Sequence, residues 1–141
     1  MSFPFHTEIT VIFRDLDVLG HVNHAVYFTY LEVARSMFFA ETLQLRNISH
    51  LPFILAEACC TFRSAATFGD RLTVSMAVGR IGHKSFDLIY EITAADGRLI
   101  ATARTVTVCY DYANEQTTVI NEPLRAILEA NLVAANTGPN A

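Results

Sequence analysis

Residues 13–28 concentrate side chains that can move protons or hold an ion. The stretch reads FRDLDVLGHVNHAVYF and contains Asp15, Asp17, His21 and His24 between two apolar runs. Carboxylates and imidazoles are common general bases, and both are also metal ligands. Three interpretations follow from this composition: a polar turn that begins a helix, a metal site, or a reaction centre.

The metal interpretation is weak. An EF-hand calcium loop needs oxygen ligands at its fifth and twelfth positions, and counting from Asp15 these are Leu19 and Val26. The two aspartates and two histidines include donors that transition metals accept, but no further ligand cluster accompanies them. We therefore predict no metal site.

Other catalytic arrangements are also poorly supported. The chain has no G-x-S-x-G elbow and no G-x-x-x-x-G-K-[ST] phosphate loop. Cys59, Cys60 and Cys109 are odd in number and lack C-x-x-C spacing, so neither a disulfide framework nor a zinc site is predicted. A hydrolytic site built from Asp17 and His24 stays open, because a carboxylate and an imidazole beside helix amides can activate water and stabilise an oxyanion.

An ordinary structural role explains part of this cluster. Aspartates ahead of a helix commonly cap it or favour its positive end, and Asp15 suits that role or an ion pair with Arg14 or Arg35. Asn23 is the predicted N-cap, since its side chain can accept a hydrogen bond from the first turn. Asp17 lies six residues before Asn23 and so cannot be the cap itself.

A long helix is predicted to follow Asn23, over residues 24–45. Its polar residues fall on one narrow stripe at spacings of three and four. Apolar residues cover most of the remaining circumference, so we expect protein to enclose much of this helix. The apolar positions include Val26, Tyr27, Phe28, Tyr30, Leu31, Val33, Ala34, Met37 and Phe38.

The enclosing layer is predicted to be an antiparallel sheet of about five strands. Apolar and polar residues alternate along several segments, and the Asp96-Gly97 pair is a strong hairpin signal. Short turns between strands require antiparallel pairing. The expected class is α+β. The predicted strands cover residues 7–13, 53–63, 71–81, 85–93 and 98–112, and a short C-terminal helix covers residues 122–133.

Composition narrows the function further. Hydrophobic residues make up 52% of the 141 residues and charged residues 17%, so we expect excess apolar surface in a subunit interface or a ligand pocket. The net charge of −4 and the absence of a basic block argue against a nucleic-acid partner. We expect one domain, 1–141, with a core over 6–133 and a frayed tail at 134–141. No secretory or transmembrane segment is predicted, which favours a cytoplasmic protein.

The polar cluster resembles a motif of the hotdog-fold acyl-CoA thioesterases. The run DLDVLGHVNHAVY at 15–27, followed by Glu32, Ala34 and Arg35, is similar to the 4-hydroxybenzoyl-CoA thioesterase-like branch, including its Tol–Pal-associated members. The segments FGDRLTV, GRIGHKSFDLIYEI, DGRLIATARTVTVCYD and EPLRAIL also have counterparts there. The likeness thus extends over nearly the whole chain and implies a helix wrapped by a curled antiparallel sheet.

Roles for individual residues come with this resemblance. It implies that Asp17 is the catalytic carboxylate, as base or nucleophile, and that His24 is the accompanying histidine. The amides at the helix start, next to Asn23, would polarise the thioester carbonyl. Tyr27 and Glu32 would shape or support the site.

The resemblance also implies a substrate and an assembly. His83, Lys84 and Ser85 would contact the phosphates of CoA, with Arg80 as an alternative. The implied activity is hydrolysis of acyl-CoA thioesters without a cofactor, in a homodimer or homotetramer whose sheets join edge to edge. Two other functions compete with it: a non-catalytic acyl-CoA-binding dimer, and an acyl-CoA hydratase on the same fold.

Overall fold

One long helix packs against an antiparallel sheet in the computed structural model of this chain. The structure describes residues 2–47 and 51–133, so the expected tail at 134–141 lies outside it. In chain order the elements are β1 (Phe5–Thr10), a 3-10 turn (Phe13–Asp15), α1 (His24–Thr42), β2 (Phe53–Phe62), β3 (Arg71–Ile81), β4 (Ser85–Ala94), β5 (Leu99–Asp111), β6 (Gln116–Thr117) and α2 (Glu122–Ala130).

The sheet has the strand order β1-β3-β4-β5-β2, and the two-residue β6 pairs with β5. All of these pairings are antiparallel. The Asp96-Gly97 turn joins β4 to β5 as predicted, and Gly97 has a φ of +93°, a left-handed conformation that glycine adopts without strain. The α+β prediction with about five principal strands is therefore confirmed.

The core lies between α1 and the inner face of the sheet. Strand β4 alternates between buried and half-buried residues along its whole length, as its sequence pattern predicts. Full burial of each large apolar side chain contributes roughly 1.5–3 kcal/mol. The largest fully buried side chains include Leu31, Phe38, Phe39, Leu72, Met76, Phe86, Leu88, Ile92, Ile100 and Leu128.

Helix α1 is less enclosed than its apolar circumference predicts. Leu31 and Ala34 are fully buried against the sheet, but Phe28, Val33 and Met37 are 37%, 40% and 53% exposed. Within one chain the sheet leaves part of the circumference of α1 uncovered. These apolar side chains, which flank the buried face of α1, stay in contact with water.

Three element ends fall three residues short of the prediction. Strand β1 ends at Thr10 rather than at residue 13, and the chain then turns, because the Asp15 carboxylate accepts a hydrogen bond from the Ile12 amide at 3.1 Å. Helix α1 ends at Thr42, two residues before Gln44, whose φ of +52° is incompatible with a continuing helix. Helix α2 ends at Ala130. No helix in the described parts of the chain has both the length and the apolar character needed to cross a bilayer.

Candidate active site

The polar segment identified in the sequence folds into a small closed loop ahead of α1. Leu16 and Val22 form an antiparallel bridge across its base. Inside it, the Asp17 amide donates to the His21 carbonyl at 2.8 Å, and the Gly20 amide donates to the Asp17 carbonyl at 3.1 Å. Gly20 has a φ of +81°, which permits this tight return.

The same loop fixes the carboxylate of Asp17. Oδ1 accepts hydrogen bonds from the amide of Leu19 at 2.9 Å and from the amide of His21 at 3.3 Å. Oδ2 has no hydrogen bond or ion pair within the described residues. The side chain is half-buried. One oxygen is thus held in place by the backbone, and the other is left for a ligand or water.

The start of α1 supplies the second feature of the site. Asn23 caps the helix as predicted, and its Oδ1 accepts a hydrogen bond from the Ala25 amide at 2.9 Å. Over the ranges that the structure describes, the neighbouring amide of His24 has no acceptor. Unpaired amides at a helix N-terminus carry partial positive charge and favour an anion. The imidazole of His24 is exposed to solvent.

A third wall comes from the segment that follows β2. The amides of Arg63 and Ser64 both donate to the Ile100 carbonyl, at 2.8 and 3.2 Å, which anchors the segment to the start of β5. The Val22 amide donates to the Ala66 carbonyl at 2.9 Å and so joins this segment to the Asp17 loop. The loop, the helix start and this segment therefore meet at one end of the sheet.

A cavity of about 350 Å³ lies where the three meet. That volume is typical of small-molecule sites. The structure brings together Asp17, His24 and Tyr27, three of the residues that the sequence indicated. The lining residues are Asp17, His21, Val22, His24, Tyr27, Phe62, Arg63, Ser64 and Ala65.

The aromatic side of the cavity is built by Tyr27. Its ring is buried and packs against Phe62, with 5.2 Å between ring centroids. Burial raises the pKa of Tyr27 above its ordinary value, opposed in part by a backbone hydrogen bond at Ala66. Its hydroxyl is therefore neutral at physiological pH. Burial also raises the pKa of nearby Cys60 to about 11, so this thiol stays protonated and does not compete as a nucleophile.

Asp15 has a structural role that differs from both predicted ones. Its Oδ2 accepts a hydrogen bond from the hydroxyl of Tyr30 at 2.8 Å as well as the one from Ile12. It forms no ion pair with Arg14 or Arg35 in the described chain; Arg35 instead donates to the hydroxyl of Tyr90 at 3.4 Å. Asp15 thus ties the loop to the first turns of α1 rather than capping the helix.

Glu32 and the segment 83–85 lie away from this cavity. Glu32 is an exposed residue of α1, eight positions beyond His24 and thus about 12 Å along the helix. His83 and Lys84 lie in the β3–β4 turn and Ser85 begins β4, at the far end of β3 and so roughly 30 Å from the cavity within one chain. Their proposed contact with CoA stays a prediction.

Sequence inspection missed His21 as a lining residue and missed the wall formed by Phe62, Arg63, Ser64 and Ala65. The stretch FRSA carries no motif. Its position depends on the pairing of β2 with β5, which is a long-range contact. Across residues 2–47 and 51–133, no group of three or more His, Cys, Asp or Glu side chains is arranged to hold a metal ion.

Two known proteins are similar in sequence to most of this chain. The chain is 29% identical over 126 residues to the long-chain acyl-CoA thioesterase FadM of Escherichia coli, which covers 87% of this chain and 96% of that protein. It is 28% identical over 139 residues to the 1,4-dihydroxy-2-naphthoyl-CoA hydrolase of Nostoc punctiforme, with 93% and 89% of the two chains covered.

A solved structure shares the whole architecture. The thioesterase from Thermus thermophilus, complexed with coenzyme A and Zn, superposes with a TM-score of 0.82 at 28% identity, over 91% of this chain and 93% of that one. The profile of the thioesterase-like superfamily matches residues 11–128. This chain therefore belongs to the thioesterase-like superfamily and has its hotdog fold.

Proposed function

We propose that this protein hydrolyses acyl-CoA thioesters to a carboxylic acid and free CoA, with Asp17 as the reacting carboxylate. The observation that carries the proposal is that Asp17, with one oxygen unpaired, and His24, the first residue of α1, line the same cavity. Family membership supports the reaction class. The two relatives described above are both named for CoA thioesters, which supports the substrate class.

The proposed reaction uses the two oxygens of Asp17 differently. Oδ1 is held by the amides of Leu19 and His21, so Oδ2 either accepts a proton from an attacking water or attacks the thioester carbon itself. Water attack forms a tetrahedral intermediate, whose C–S bond then breaks to release the CoA thiolate. The thiolate takes up the proton, and the acid remains. Direct attack forms a mixed anhydride that water hydrolyses in a second step.

The start of α1 supplies the electrostatic part of the proposal. The unpaired amide of His24 donates to the oxygen that becomes negative in the tetrahedral intermediate. Loss of one such donor typically slows an enzyme about 10²–10³-fold. The His24 imidazole stands beside this amide, where it can carry the proton between the carboxylate and the leaving thiolate.

A homo-oligomer is the proposed functional unit. Strand β2 is an edge of the sheet, and it exposes Ile54, Leu55 and Phe62 by 42%, 47% and 47%. A second copy pairing its own β2 antiparallel to this edge would cover these side chains. The sheets of the two copies would then form one continuous antiparallel sheet.

Such pairing would give the β3–β4 turn access to the substrate. Phe53 pairs with Cys109, and the Cys109 amide donates to the Lys84 carbonyl at 2.8 Å, so the turn lies at the start of β2. The cavity lies at the other end of β2, beside Phe62. Antiparallel pairing about a two-fold axis brings the start of one β2 next to the end of the other. Lys84 of one copy would then approach the CoA phosphates bound at the cavity of the second.

Release of free thiol from a panel of CoA esters tests the activity. The panel comprises acetyl, butyryl, long-chain, benzoyl and phenylacetyl esters, assayed with the wild type and with Asp17→Asn. We expect the variant to keep its fold and lose at least about 10²-fold in rate. Glu8→Gln, a carboxylate-to-amide change on β1, the sheet edge opposite β2, is the matched control and should retain full activity.

Each alternative function has its own outcome in this experiment. Equal turnover by wild type and Asp17→Asn would remove Asp17 from the mechanism. Binding of the esters without turnover would support the non-catalytic acyl-CoA-binding dimer. Hydration of an enoyl-CoA without thiol release would support the hydratase. Light scattering of Leu55→Asp tests the oligomer, since a charge on the β2 edge should shift the assembly to monomers.

A further inference from the structure

The segment after β2 contributes a basic residue, Arg63, to the cavity lining, and the proposed reaction assigns it no role. Arg63 follows directly after β2 and lines the cavity together with Asp17. Its backbone is held by the 2.8 Å hydrogen bond to Ile100, but its side chain makes no hydrogen bond or ion pair within residues 2–47 and 51–133. By contrast, Arg98 pairs with Asp96 at 2.8 Å and Arg104 pairs with Glu57 at 2.6 Å.

The surroundings of Arg63 favour an anionic ligand. The same cavity is lined by the apolar groups of Val22, Phe62 and Ala65 and by the buried ring of Tyr27. Arg63 is exposed, and its positive charge attracts an anion that enters the cavity. A guanidinium also offers two parallel N–H donors that match the two oxygens of a carboxylate.

The size of the cavity limits which part of an acyl-CoA could contact the side chain of Arg63. If the proposed function is correct, the thioester carbonyl lies between Asp17 and the start of α1. Arg63 borders the same 350 Å³ space. The phosphates of CoA are separated from the thioester sulfur by the whole pantetheine arm, which is longer than a cavity of this volume. The acyl group, on the other side of the carbonyl, is the part that lies within reach.

We propose that Arg63 is a specificity-determining residue that binds a carboxylate on the acyl group. The preferred substrates are then CoA esters of dicarboxylic acids, with the free carboxylate on Arg63 and the thioester on Asp17. The inference rests on the proposed function for the position of the thioester. It goes beyond that function in naming the acyl class.

Matched pairs of esters test the proposal directly. Adipoyl-CoA and hexanoyl-CoA have the same chain length and differ only in the terminal carboxylate, and glutaryl-CoA and pentanoyl-CoA form a second pair. We expect wild type to favour the carboxylate member of each pair in kcat/KM. Arg63→Gln should lower kcat/KM for the carboxylate members about 10- to 100-fold, the range for a lost hydrogen bond to a charged group. The neutral members should change less than about threefold.

Two further variants separate charge from geometry. Arg63→Lys keeps the charge but loses the paired donors, so its preference should lie between those of wild type and Arg63→Gln. Arg104→Gln removes a guanidinium that pairs with Glu57 across β5 and β2, and it should leave both members of each pair unchanged. Arg63 is exposed, so these variants should keep the thermal stability of the wild type.

The proposal has outcomes that overturn it. An equal loss for both members of a pair, with weaker inhibition by CoA, would place Arg63 on the CoA phosphates. An unchanged kcat/KM of Arg63→Gln for both members would show that the Arg63 side chain contacts water and not the substrate.

Measuring the affinity for the esters tests the role of Arg63 without relying on turnover. Adipoyl-CoA and hexanoyl-CoA are titrated into Asp17→Asn with and without Arg63→Gln. Tighter binding of adipoyl-CoA that disappears in the double variant supports the assignment even if the wild type hydrolyses no ester, a result that would sink the proposed function alone. Equal affinities of Asp17→Asn for the two esters would refute the assignment of Arg63 to the acyl carboxylate.

Discussion

Replacing Asn23 separates the stability of α1 from the stabilisation of negative charge at its first turn. The Asn23 side chain accepts from the Ala25 amide at 2.9 Å, and the neighbouring amide of His24 is the proposed oxyanion donor. Asn23→Ala removes the cap, and such a change destabilises a protein by about 0.5–2 kcal/mol. For a domain of this length the expected fall in Tm is roughly 2–8 °C.

Asn23→Asp keeps the cap and adds a negative charge. A carboxylate at a helix N-terminus stabilises it by about 0.3–1 kcal/mol, so we expect an unchanged or higher Tm. The same charge lies next to the position where the intermediate becomes negative. At a separation of roughly 6 Å, set by neighbouring residues, and an effective dielectric constant of about 40, the repulsion is about 1.4 kcal/mol. That corresponds to an about tenfold lower kcat.

The assay combines thermal denaturation with initial rates of thiol release at saturating ester. We expect Asn23→Asp to be stable but slow, and Asn23→Ala to be less stable with a smaller loss in rate. Asn121 caps α2 by accepting from the Leu124 amide at 2.9 Å, so Asn121→Asp is a matched control that should leave kcat unchanged. Wild-type kcat in a stable Asn23→Asp would show that the oxyanion does not form at the start of α1.

Three further predictions concern the loop, the core and pH. Gly20→Ala and Gly97→Ala each place a side chain in a left-handed conformation with open space around the new Cβ, so each should lower stability by about 1–2 kcal/mol, but only Gly20→Ala should lower kcat. Among the described residues, the buried hydroxyl of Thr107 has no hydrogen-bond partner. Thr107→Val removes this unpaired group and should raise Tm by roughly 2–4 °C. A lower Tm would show that the hydroxyl does have a partner. Burial raises the pKa of Cys60 to about 11, so the unfolded thiol ionises first and Tm should fall between pH 9 and 11. Cys60→Ala should reduce that fall, and an identical pH profile for both proteins would contradict the assignment.

Features that depend on neighbouring residues were accessible from the sequence. Asn23 is recognisable as a cap because its side chain reaches only the amides just ahead of it in the chain. The Asp96-Gly97 turn follows from the conformation that Gly97 tolerates. The alternation in β4 predicts its buried face, since successive side chains point to opposite sides of a strand.

Features that depend on long-range contacts were not accessible. Arg63 reaches the cavity only because its amide is tied to Ile100, a contact between segments that no local pattern specifies. The end of α1 escaped prediction because Gln44 adopts a left-handed conformation that its residue type does not favour. Phe28 and Met37 remain exposed because the sheet covers only part of the circumference of α1, which apolar periodicity alone does not show.

The loop that holds Oδ1 of Asp17 is contiguous in sequence, whereas the facing wall at 62–65 comes from a distant part of the chain. Under the proposed function, mutations can therefore accumulate in one wall while the position of the Asp17 carboxylate, held by its own loop, is unaffected. Exchanging residues 62–65 between relatives should then change the preferred acyl group and leave cleavage of the thioester intact.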